Sequence, residues 1–303
     1  MATLEDLLEK TSRTFALSIP VLPEPTRREV MIAYLLFRIA DTFEDAAHWD
    51  PARRIEALAD FNGLLLEYAR PRAEQLSSRW TAAGASPHAG YRELIAEVPF
   101  VLDAFFALRA EAIEPVRAHV IRSADGMARF VSRTRGAQLV LSGIDDLRAY
   151  CYVVAGIVGE MLTELFLLGR AGLSVIAPYL RERAAVFGEA LQLVNILKDR
   201  ATDASEGRRY LPPESDVAAV FSLARRDLRT AADYISALQS AGAPRGLVEF
   251  TALPVLLAEA SLDRIERRGP GSKISRPEVF LLSQRLKRSL DRNEPAVPAR
   301  DPA

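Results

Sequence analysis

The sequence predicts an all-α protein, and two observations support that prediction. Apolar residues recur at i, i+3, i+4 and i+7 through most of the 303 residues, whereas the alternating pattern of a strand is nearly absent. Proline and glycine fall mainly between the periodic segments, where helices need to end. The single cysteine, Cys151, excludes an intramolecular disulfide framework and fits a reducing compartment.

The periodic segments divide the chain into a series of helices. We predict helices over residues 25–46, 52–69, 91–109, 112–134, 144–169, 177–203, 216–239, 245–267 and 277–290. The stretch from Pro71 to Gly90, rich in Ala, Ser, Gly and Arg, is predicted to be an irregular surface excursion. Residues 1–290 are expected to form one domain. Residues 291–303 hold three prolines and little apolar material, so we expect a loose tail there.

Composition excludes several classes of protein. The chain has 39 basic and 40 acidic residues, a formal charge of −1, so no nucleic-acid partner is expected. Hydrophobic residues make up 49%, which is too many for a disordered chain. The most apolar stretch, Tyr152 to Leu168, is interrupted by Glu160 and Glu164 and is predicted to be a buried core helix. No signal-peptide pattern opens the chain. We expect a cytoplasmic protein with at most peripheral membrane contact.

The predicted helix over 25–46 carries one polar stripe on an otherwise apolar cylinder. Asp41, Glu44 and Asp45 fall within about 100° of arc, and Tyr34 and Arg38 continue the same face one and two turns earlier. A helix that is apolar on most sides is buried. Its polar stripe is therefore predicted to face a polar partner inside the protein or a cavity.

The predicted helix over 177–203 repeats this design. Asp199 and Asp203 stand four residues apart on one face, and Gln192 and Asn195 extend the stripe backwards between leucine, valine and isoleucine residues. Like charges at this spacing destabilise a helix by about 0.2–0.5 kcal/mol, and a divalent cation would offset that cost. Oxygen donors without nearby His or Cys favour Mg²⁺ or Mn²⁺ over Zn²⁺. One such acidic pair is usually a solvated face, but two ladders on apolar helices predict a diphosphate site with a hydrocarbon pocket behind it.

With these stripes in view, the chain resembles the squalene and phytoene synthase family from about Ser12 to Arg276. Five segments carry the resemblance, namely Ser12–Phe15, Leu36–Asp45, Gly126–Phe130, Tyr150–Gly159, and Gln192–Asp203 followed by Gly207–Pro212. A DxxED string alone is weak, whereas the ordered set is specific. The Asp-Thr-x-Glu-Asp form and the Gly-Met-Ala-x-Phe segment look more like squalene synthases than phytoene synthases.

The resemblance implies an isoprenoid-synthase-type helical bundle around a central apolar cavity, and a two-step head-to-head condensation of two farnesyl diphosphates. Mg²⁺ held by the two aspartate motifs would assist departure of diphosphate, and presqualene diphosphate would form first. NADPH would then deliver hydride to yield squalene. An apolar pocket suits this chemistry because the cations must be shielded from water.

Carried over position by position, the resemblance assigns roles to individual residues. The implied metal ligands are Asp41, Glu44, Asp45, Asp199 and Asp203. The implied catalytic residues are Tyr150 and the four aspartates of that set. The substrate contacts are Ser12, Arg13, Thr14, Tyr34, Arg38, Lys198 and Arg208, together with Gln192 and Asn195 on the second polar face. The implied NADPH contacts are Arg13, Arg38, Lys198 and Lys273.

Three positions depart from the family pattern. Thr202 stands where the second motif usually has Glu, and Lys198 replaces the usual Arg. The segment Lys273–Pro277 resembles an NADPH-contacting segment, but Ser275 occupies its Arg position. Three alternatives therefore stay open. The reaction stops at presqualene diphosphate, or yields dehydrosqualene or phytoene without reductant; the chain is a non-catalytic prenyl-lipid or assembly protein; or it is a helical scaffold whose acidic ladders pair with arginines of a partner.

Overall fold

Helices form almost all of the described chain, which confirms the all-α prediction. The structure is a computed structural model that describes residues 2–12, 14–134, 139–205, 208–211 and 217–298, with the backbone alone for residues 201–205 and 208–209. The chain divides into two compact units. One consists of Met1–Pro20 and Glu24–Leu139, and the other of Val21–Pro23 and Val140–Ala303.

The first unit is built around a long buried helix, α3. Its helices are α1 (Leu4–Thr11), α2 (Phe15–Ser18), α3 (Thr26–Glu44), α4 (Pro51–Leu66), α5 (Arg70–Ala82), α6 (Ala89–Ala96), α7 (Val98–Phe106) and α8 (Ala110–Ser132). Helix α3 packs against α4, α7 and α8. Leu35, Leu36, Ile39 and Phe43 are fully buried. The Phe43 ring centroid lies 4.7 Å from that of Trp80, so an aromatic cluster closes the core beneath the end of α3.

The second unit is built around α11. Its helices are α9 (Ile144–Cys151), a π-helical turn (Tyr152–Gly156), α10 (Ile157–Leu167), a 3-10 segment (Ala171–Ile176), α11 (Ala177–Ser205), α12 (Val217–Ser240), α13 (Arg245–Arg268) and α14 (Arg276–Asp291). Helix α11 packs against α10, α12 and α13, and α14 packs against α13. Two short strands, β1 (Leu139–Val140) and β2 (Arg208–Arg209), form a small sheet.

Two glycines bring α10 and the π-helical turn close to α11. A Cβ atom at Gly159 would lie 2.0 Å from the carbonyl oxygen of Ala184, and one at Gly188 would lie 2.0 Å from the carbonyl oxygen of Ala155. Any side chain at these positions would collide with backbone. The glycines therefore set the spacing between α11, which carries the second polar stripe, and the π-helical turn and α10, which follow directly after Tyr150 and α9.

The predicted irregular stretch from Pro71 to Gly90 is wrong, because most of it is helix α5. Proline stands in the first turn, where its missing N–H costs nothing. The buried residues Ala73, Leu76, Ser77 and Trp80 then recur at i, i+3, i+4 and i+7. The helical signal was hidden by the charged and polar residues on the remaining faces.

The predicted single helix over 91–109 is wrong, because this range is divided into α6 and α7, with Pro99 in the first turn of α7. Further differences lie at the two ends of the chain. Helix α1 precedes the first predicted helix and begins with a capping box between Thr3 and Asp6. Residues 292–298, predicted as part of a loose tail, are attached to α12: Gln239 Nε2 donates to the Glu294 carbonyl oxygen, and Ala296 N donates to Gln239 Oε1, both at 2.9 Å. Ala296 is buried. The tail is therefore packed as far as residue 298.

One helical stretch, Ile144–Leu167, is long and apolar enough to cross a membrane, with a mean hydropathy of 1.5 in its best window. Within that window 61% is buried inside the protein. Core helices often meet the same length and composition criteria. This is the segment for which the sequence predicts a buried core helix, and its burial agrees with that prediction.

Candidate active site

The polar stripe of α3 is held together by direct contacts in the first unit. Arg38 Nη1 lies 3.3 Å from Asp41 Oδ2, and Arg38 Nε donates to the Tyr34 hydroxyl at 3.3 Å. The Tyr34 hydroxyl in turn donates to the carbonyl oxygen of Thr11 at 2.9 Å, which ties the stripe to the end of α1. The Arg38 guanidinium carbon also lies 5.4 Å from the ring centroid of Tyr91. The predicted stripe is thus a connected row of polar groups on a buried helix.

The carboxylates at the end of this stripe are close together and partly buried, which disfavours their charged forms. Burial raises the pKa of Asp41 to about 6; Arg38 opposes the rise and Asp45 adds to it. Glu44 is only 5% exposed, and burial raises its pKa well above the usual range, with a further contribution from Asp45. Asp45 itself is exposed. The cluster therefore favours any cation that approaches Asp41 and Asp45.

The donor chemistry fits a hard divalent cation. The three carboxylates supply only oxygen atoms, and burial, which raises the pKa values of Asp41 and Glu44, disfavours their charged forms unless a cation lies nearby. Across the described residues, no three His, Cys, Asp or Glu side chains are gathered closely enough to hold one ion. A cation here would be held by one or two carboxylates, with water or phosphate oxygens completing its shell, as is usual for Mg²⁺.

Sequence reasoning missed Arg54, a buried cation beside this cluster. Arg54 is 7% exposed, and its Nη2 donates to the carbonyl oxygen of Glu44, the last residue of α3. Its charge also opposes the rise in the Glu44 pKa. Arg54 stands at the N-terminal end of α4, where the helix dipole disfavours a cation. A cation at this unfavourable place in the helix was the signal in the sequence that Arg54 contacts another element.

The implied contacts at Ser12, Arg13 and Thr14 lie just after α1. Ser12 caps the end of α1, and its Oγ accepts a hydrogen bond from Phe15 N at 2.9 Å. The Phe15 ring centroid lies 5.3 Å from that of Tyr34, so the segment lies beside the α3 stripe. Thr14 is exposed at the start of α2. Arg13 lies outside the described residues.

The second polar stripe lies on α11 in the second unit. Lys198 Nζ donates to Asn195 Oδ1 at 2.9 Å and lies 3.3 Å from Asp199 Oδ2. Gln192 and Asp199 are half-buried, and Asn195 is exposed. The predicted ligand Asp203 and the predicted contact Arg208 have side chains outside the described residues.

A loop before α14 reaches this second stripe. Gly271 N donates to the Lys198 carbonyl oxygen at 2.9 Å. Lys273, two residues further on, is exposed, and its carbonyl oxygen accepts from Arg264 Nη1 at 2.8 Å. The structure therefore brings the loop that carries one predicted NADPH contact, Lys273, to the helix that carries another, Lys198.

Ser275 has a local role that the resemblance does not include. Its side chain caps α14 and accepts from Glu278 N at 3.4 Å, while Glu278 Oε2 accepts from Ser275 N at 2.8 Å. This capping box occupies both side chains. The position that resembles an Arg of the NADPH-contacting segment is therefore used to start a helix.

Tyr150 is buried and pairs with a second tyrosine that sequence reasoning did not single out. The Tyr150 hydroxyl donates to the Tyr210 hydroxyl at 3.2 Å, and the two rings stack with centroids 4.8 Å apart. Both side chains are less than 8% exposed. Tyr210 belongs to the Gly207–Pro212 segment, so its presence in a quoted motif was the available signal. Tyr150 also lies two residues before a π-helical turn, a feature frequent at functional sites.

The structure is that of an all-α protein with a polar stripe on each of two long helices, α3 and α11. Comparison with known proteins gives its family. A family model described as squalene/phytoene synthase matches residues 8–216. The chain belongs to the squalene/phytoene synthase family.

Individual relatives agree with this family. The chain is 30% identical over 209 residues to squalene synthase ERG9 of Candida albicans, covering 69% of this chain and 44% of that protein. It is 32% identical over 213 residues to squalene synthase of Schizosaccharomyces pombe, covering 69% and 43%. The chain thus spans less than half the length of these curated relatives.

Solved structures share the fold. The structure of TcSQS with the ligand E5700 matches with a TM-score of 0.71 and 25% identity, covering 95% of this chain and 87% of that chain. A dehydrosqualene synthase in complex with a ligand matches with a TM-score of 0.56 and 20% identity, covering 95% of both chains. These matches confirm the predicted isoprenoid-synthase type of helical fold.

Proposed function

We propose that this chain is a Mg²⁺-dependent prenyltransferase that joins two farnesyl diphosphates head to head through presqualene diphosphate. The observation that carries the proposal is the connected stripe of Tyr34, Arg38 and Asp41 on a buried helix of a chain in the squalene/phytoene synthase family. The second stripe, with Lys198 and Asp199, repeats the arrangement on α11.

In the proposed reaction the acidic residues bind the metal and the basic residues bind the diphosphate. Asp41, Asp45 and Asp199 are the carboxylates that would hold Mg²⁺, which when bound supplies charge stabilisation for the departing diphosphate. Arg38 and Lys198 offer positive charge beside those carboxylates, so they bind and orient the diphosphate oxygens.

In the proposed reaction apolar residues and a buried tyrosine pair protect and stabilise the carbocations. Leu35, Leu36 and Ile39 make α3 apolar around its stripe and exclude water that would quench a cation. The Tyr150–Tyr210 pair places two stacked aromatic faces and two hydroxyls in a buried position. Such a pair can stabilise positive charge through its rings and hold a proton at the Tyr150 hydroxyl.

Squalene is the proposed end product, with NADPH as the source of hydride. Lys273 supports this assignment, because its loop is hydrogen-bonded to Lys198. The second candidate is a reaction that ends at presqualene diphosphate or dehydrosqualene without reductant. The capping role of Ser275 favours that candidate, since the position that resembles an Arg contact is already engaged.

A product assay separates these candidates. The full chain is incubated with farnesyl diphosphate and Mg²⁺, with and without NADPH, and lipid products are identified by mass spectrometry. Squalene formed only with NADPH supports the first candidate. Presqualene diphosphate or dehydrosqualene as the end product both with and without NADPH supports the second. Asp41→Asn is the matched inactive control and should keep its helical circular dichroism spectrum. Absence of diphosphate release under every condition would overturn both candidates and favour a non-catalytic prenyl-lipid protein.

A further inference from the structure

The segment Arg267–Arg288 concentrates positive charge in a nearly neutral protein. It contains seven Lys or Arg and one acidic residue, Glu278, a formal charge of +6. The whole chain carries −1, so the other residues together carry −7. A local surplus of this size on one helical hairpin indicates an anionic partner.

Two large apolar side chains are exposed in the middle of this segment. Phe280 is 62% exposed and Leu281 is 59% exposed, although both belong to a regular helix, α14. The opposite side of α14 packs inward, with Leu286 only 2% exposed. The apolar pair therefore belongs to the outer face of the helix and does not contribute to the core.

Basic residues flank the apolar pair on the same face. At 100° per residue, Arg276, Phe280 and Lys287 form one row, at i, i+4 and i+11. Leu281, Arg285 and Arg288 form the neighbouring row, at i, i+4 and i+7. We call these six residues the α14 basic face.

Among the described residues, most of the cations on the α14 basic face have no acidic partner. Within the part of the chain that the structure describes, Arg276, Arg285 and Arg288 form no ion pair with a carboxylate. Lys287 is the exception, because its Nζ lies 3.7 Å from Glu249 Oε1. The one acidic residue of the segment, Glu278, stands three residues before Leu281 and seven before Arg285, at the edge of this face, and its carboxylate is paired with Arg264. Within the described residues, three of the four cations on the face therefore carry a charge that no carboxylate of this chain balances.

We propose that the α14 basic face docks on the surface of an anionic lipid bilayer, with Phe280 and Leu281 inserted among the headgroups. Clustered Lys and Arg around exposed Phe and Leu on one helix face are what an interfacial helix requires. A second copy of the chain is a poor occupant, because a two-fold interface would bring two faces of the same charge together. A bilayer is preferred over an acidic protein on one ground that rests on the proposed function: prenyl diphosphates and squalene partition into membranes.

The proposal is tested by co-sedimentation of the full chain with lipid vesicles. Vesicles of phosphatidylcholine alone are compared with vesicles containing one quarter phosphatidylglycerol, at about 0.1 M and 0.5 M salt. We expect binding only to the anionic vesicles and release at high salt. Binding is measured without substrate, so its outcome is independent of whether the proposed reaction is correct. Failure to bind anionic vesicles at 0.1 M salt would overturn the proposal.

Paired variants assign the binding to the α14 basic face. Arg285→Gln with Arg288→Gln should weaken the partition coefficient about 30-fold, because each cation near an anionic surface contributes about one kcal/mol, and 1.4 kcal/mol is a factor of ten. The matched control is Arg28→Gln with Arg229→Gln, two exposed arginines outside the segment, which should change binding less than threefold. Equal losses in both pairs would contradict a specific face.

The apolar pair needs its own control. Phe280→Ser with Leu281→Ser should weaken binding about tenfold or more, through the loss of inserted apolar surface. Leu66→Ser, which changes a side chain that is 66% exposed in the first unit, should leave binding unchanged. All these side chains are largely exposed, so the variants are expected to fold, and circular dichroism checks this. Analytical ultracentrifugation distinguishes the other occupant: concentration-dependent dimers abolished by the Phe280 and Leu281 changes, without vesicle binding, would assign the face to self-association.

Discussion

The close approach of α10 to α11 predicts a large effect from a single methyl group. In Gly159→Ala, the new Cβ would lie 2.0 Å from the carbonyl oxygen of Ala184 and 3.0 Å from its carbonyl carbon. Ordinary van der Waals contact begins near 3.4 Å, so the helices must separate by roughly 1.4 Å. The obstacle is backbone, and no side chain can rotate to relieve it.

The magnitude of this effect follows from two opposing contributions. Overpacking of a core contact costs about 1–3 kcal/mol, occasionally more, and a rigid backbone clash belongs at the upper end. Replacing Gly by Ala inside a helix returns about 1 kcal/mol of helix propensity. We expect a net loss of about 2 kcal/mol in the free energy of unfolding. For a chain of 303 residues, with an entropy of unfolding of about 2.1 cal/mol/K per residue, that corresponds to a fall in Tm of about 3 °C.

The assay is thermal unfolding followed by circular dichroism, with Gly172→Ala as the matched control. A Cβ at Gly172 would meet nothing within 4 Å, so this variant should be neutral or slightly stabilised. Gly188→Ala, the reciprocal contact on α11, should behave like Gly159→Ala. A Gly159→Ala variant as stable as the wild type would refute the inference that this glycine sets the spacing of the helices.

Three further predictions concern the site and its supports. Arg54→Ala should reduce the increase in Tm on adding Mg²⁺ because the end of α3 loses its buried hydrogen bond, and Arg54→Lys should recover part of it. Without metal, the free energy of unfolding should fall as the pH rises from about 4 to 6. The pKa of Asp41 is raised to about 6 in the folded state, so folding disfavours its charged form in this range. Asp41→Asn should flatten this slope in a pH series of denaturant titrations. Ser275→Ala should cost about 1 kcal/mol in chemical denaturation through loss of the α14 cap, whereas Ser283→Ala should not.

The sequence predicted the long helices well and the short polar one poorly, for a physical reason. Residues 277–290 were predicted as the last helix, and α14 spans Arg276–Asp291. Long helices in a core repeat their apolar residues often enough for the period to be unambiguous. Helix α5 buries only a narrow stripe, and its other faces carry charged and polar residues, so its period was masked by composition.

The candidate site shows the same division between local and tertiary information. The stripe of Tyr34, Arg38 and Asp41 follows from helical spacing alone, and the structure brings these groups into contact. Arg54 and Tyr210 could not be found in this way, because each reaches its partner from a different element, Arg54 across 10 residues and Tyr210 across 60 residues of sequence. Helical periodicity predicts which residues share a face, and it carries no information about which side chain from another element will meet that face.

Under the proposed function, the condensation and the reduction would depend on different parts of the chain. The stripes that would bind diphosphate lie on α3 and α11, both long helices with fully buried apolar residues. The predicted reductant contact Lys273 lies instead on a short exposed loop, which is attached to α11 by a hydrogen bond between Gly271 and Lys198. Substitutions in such a loop disturb little packing, so the hydride step can be lost while the stripes stay intact. Ser275, engaged in capping α14, is one of the three positions where this chain departs from the family pattern, and it lies directly after this loop.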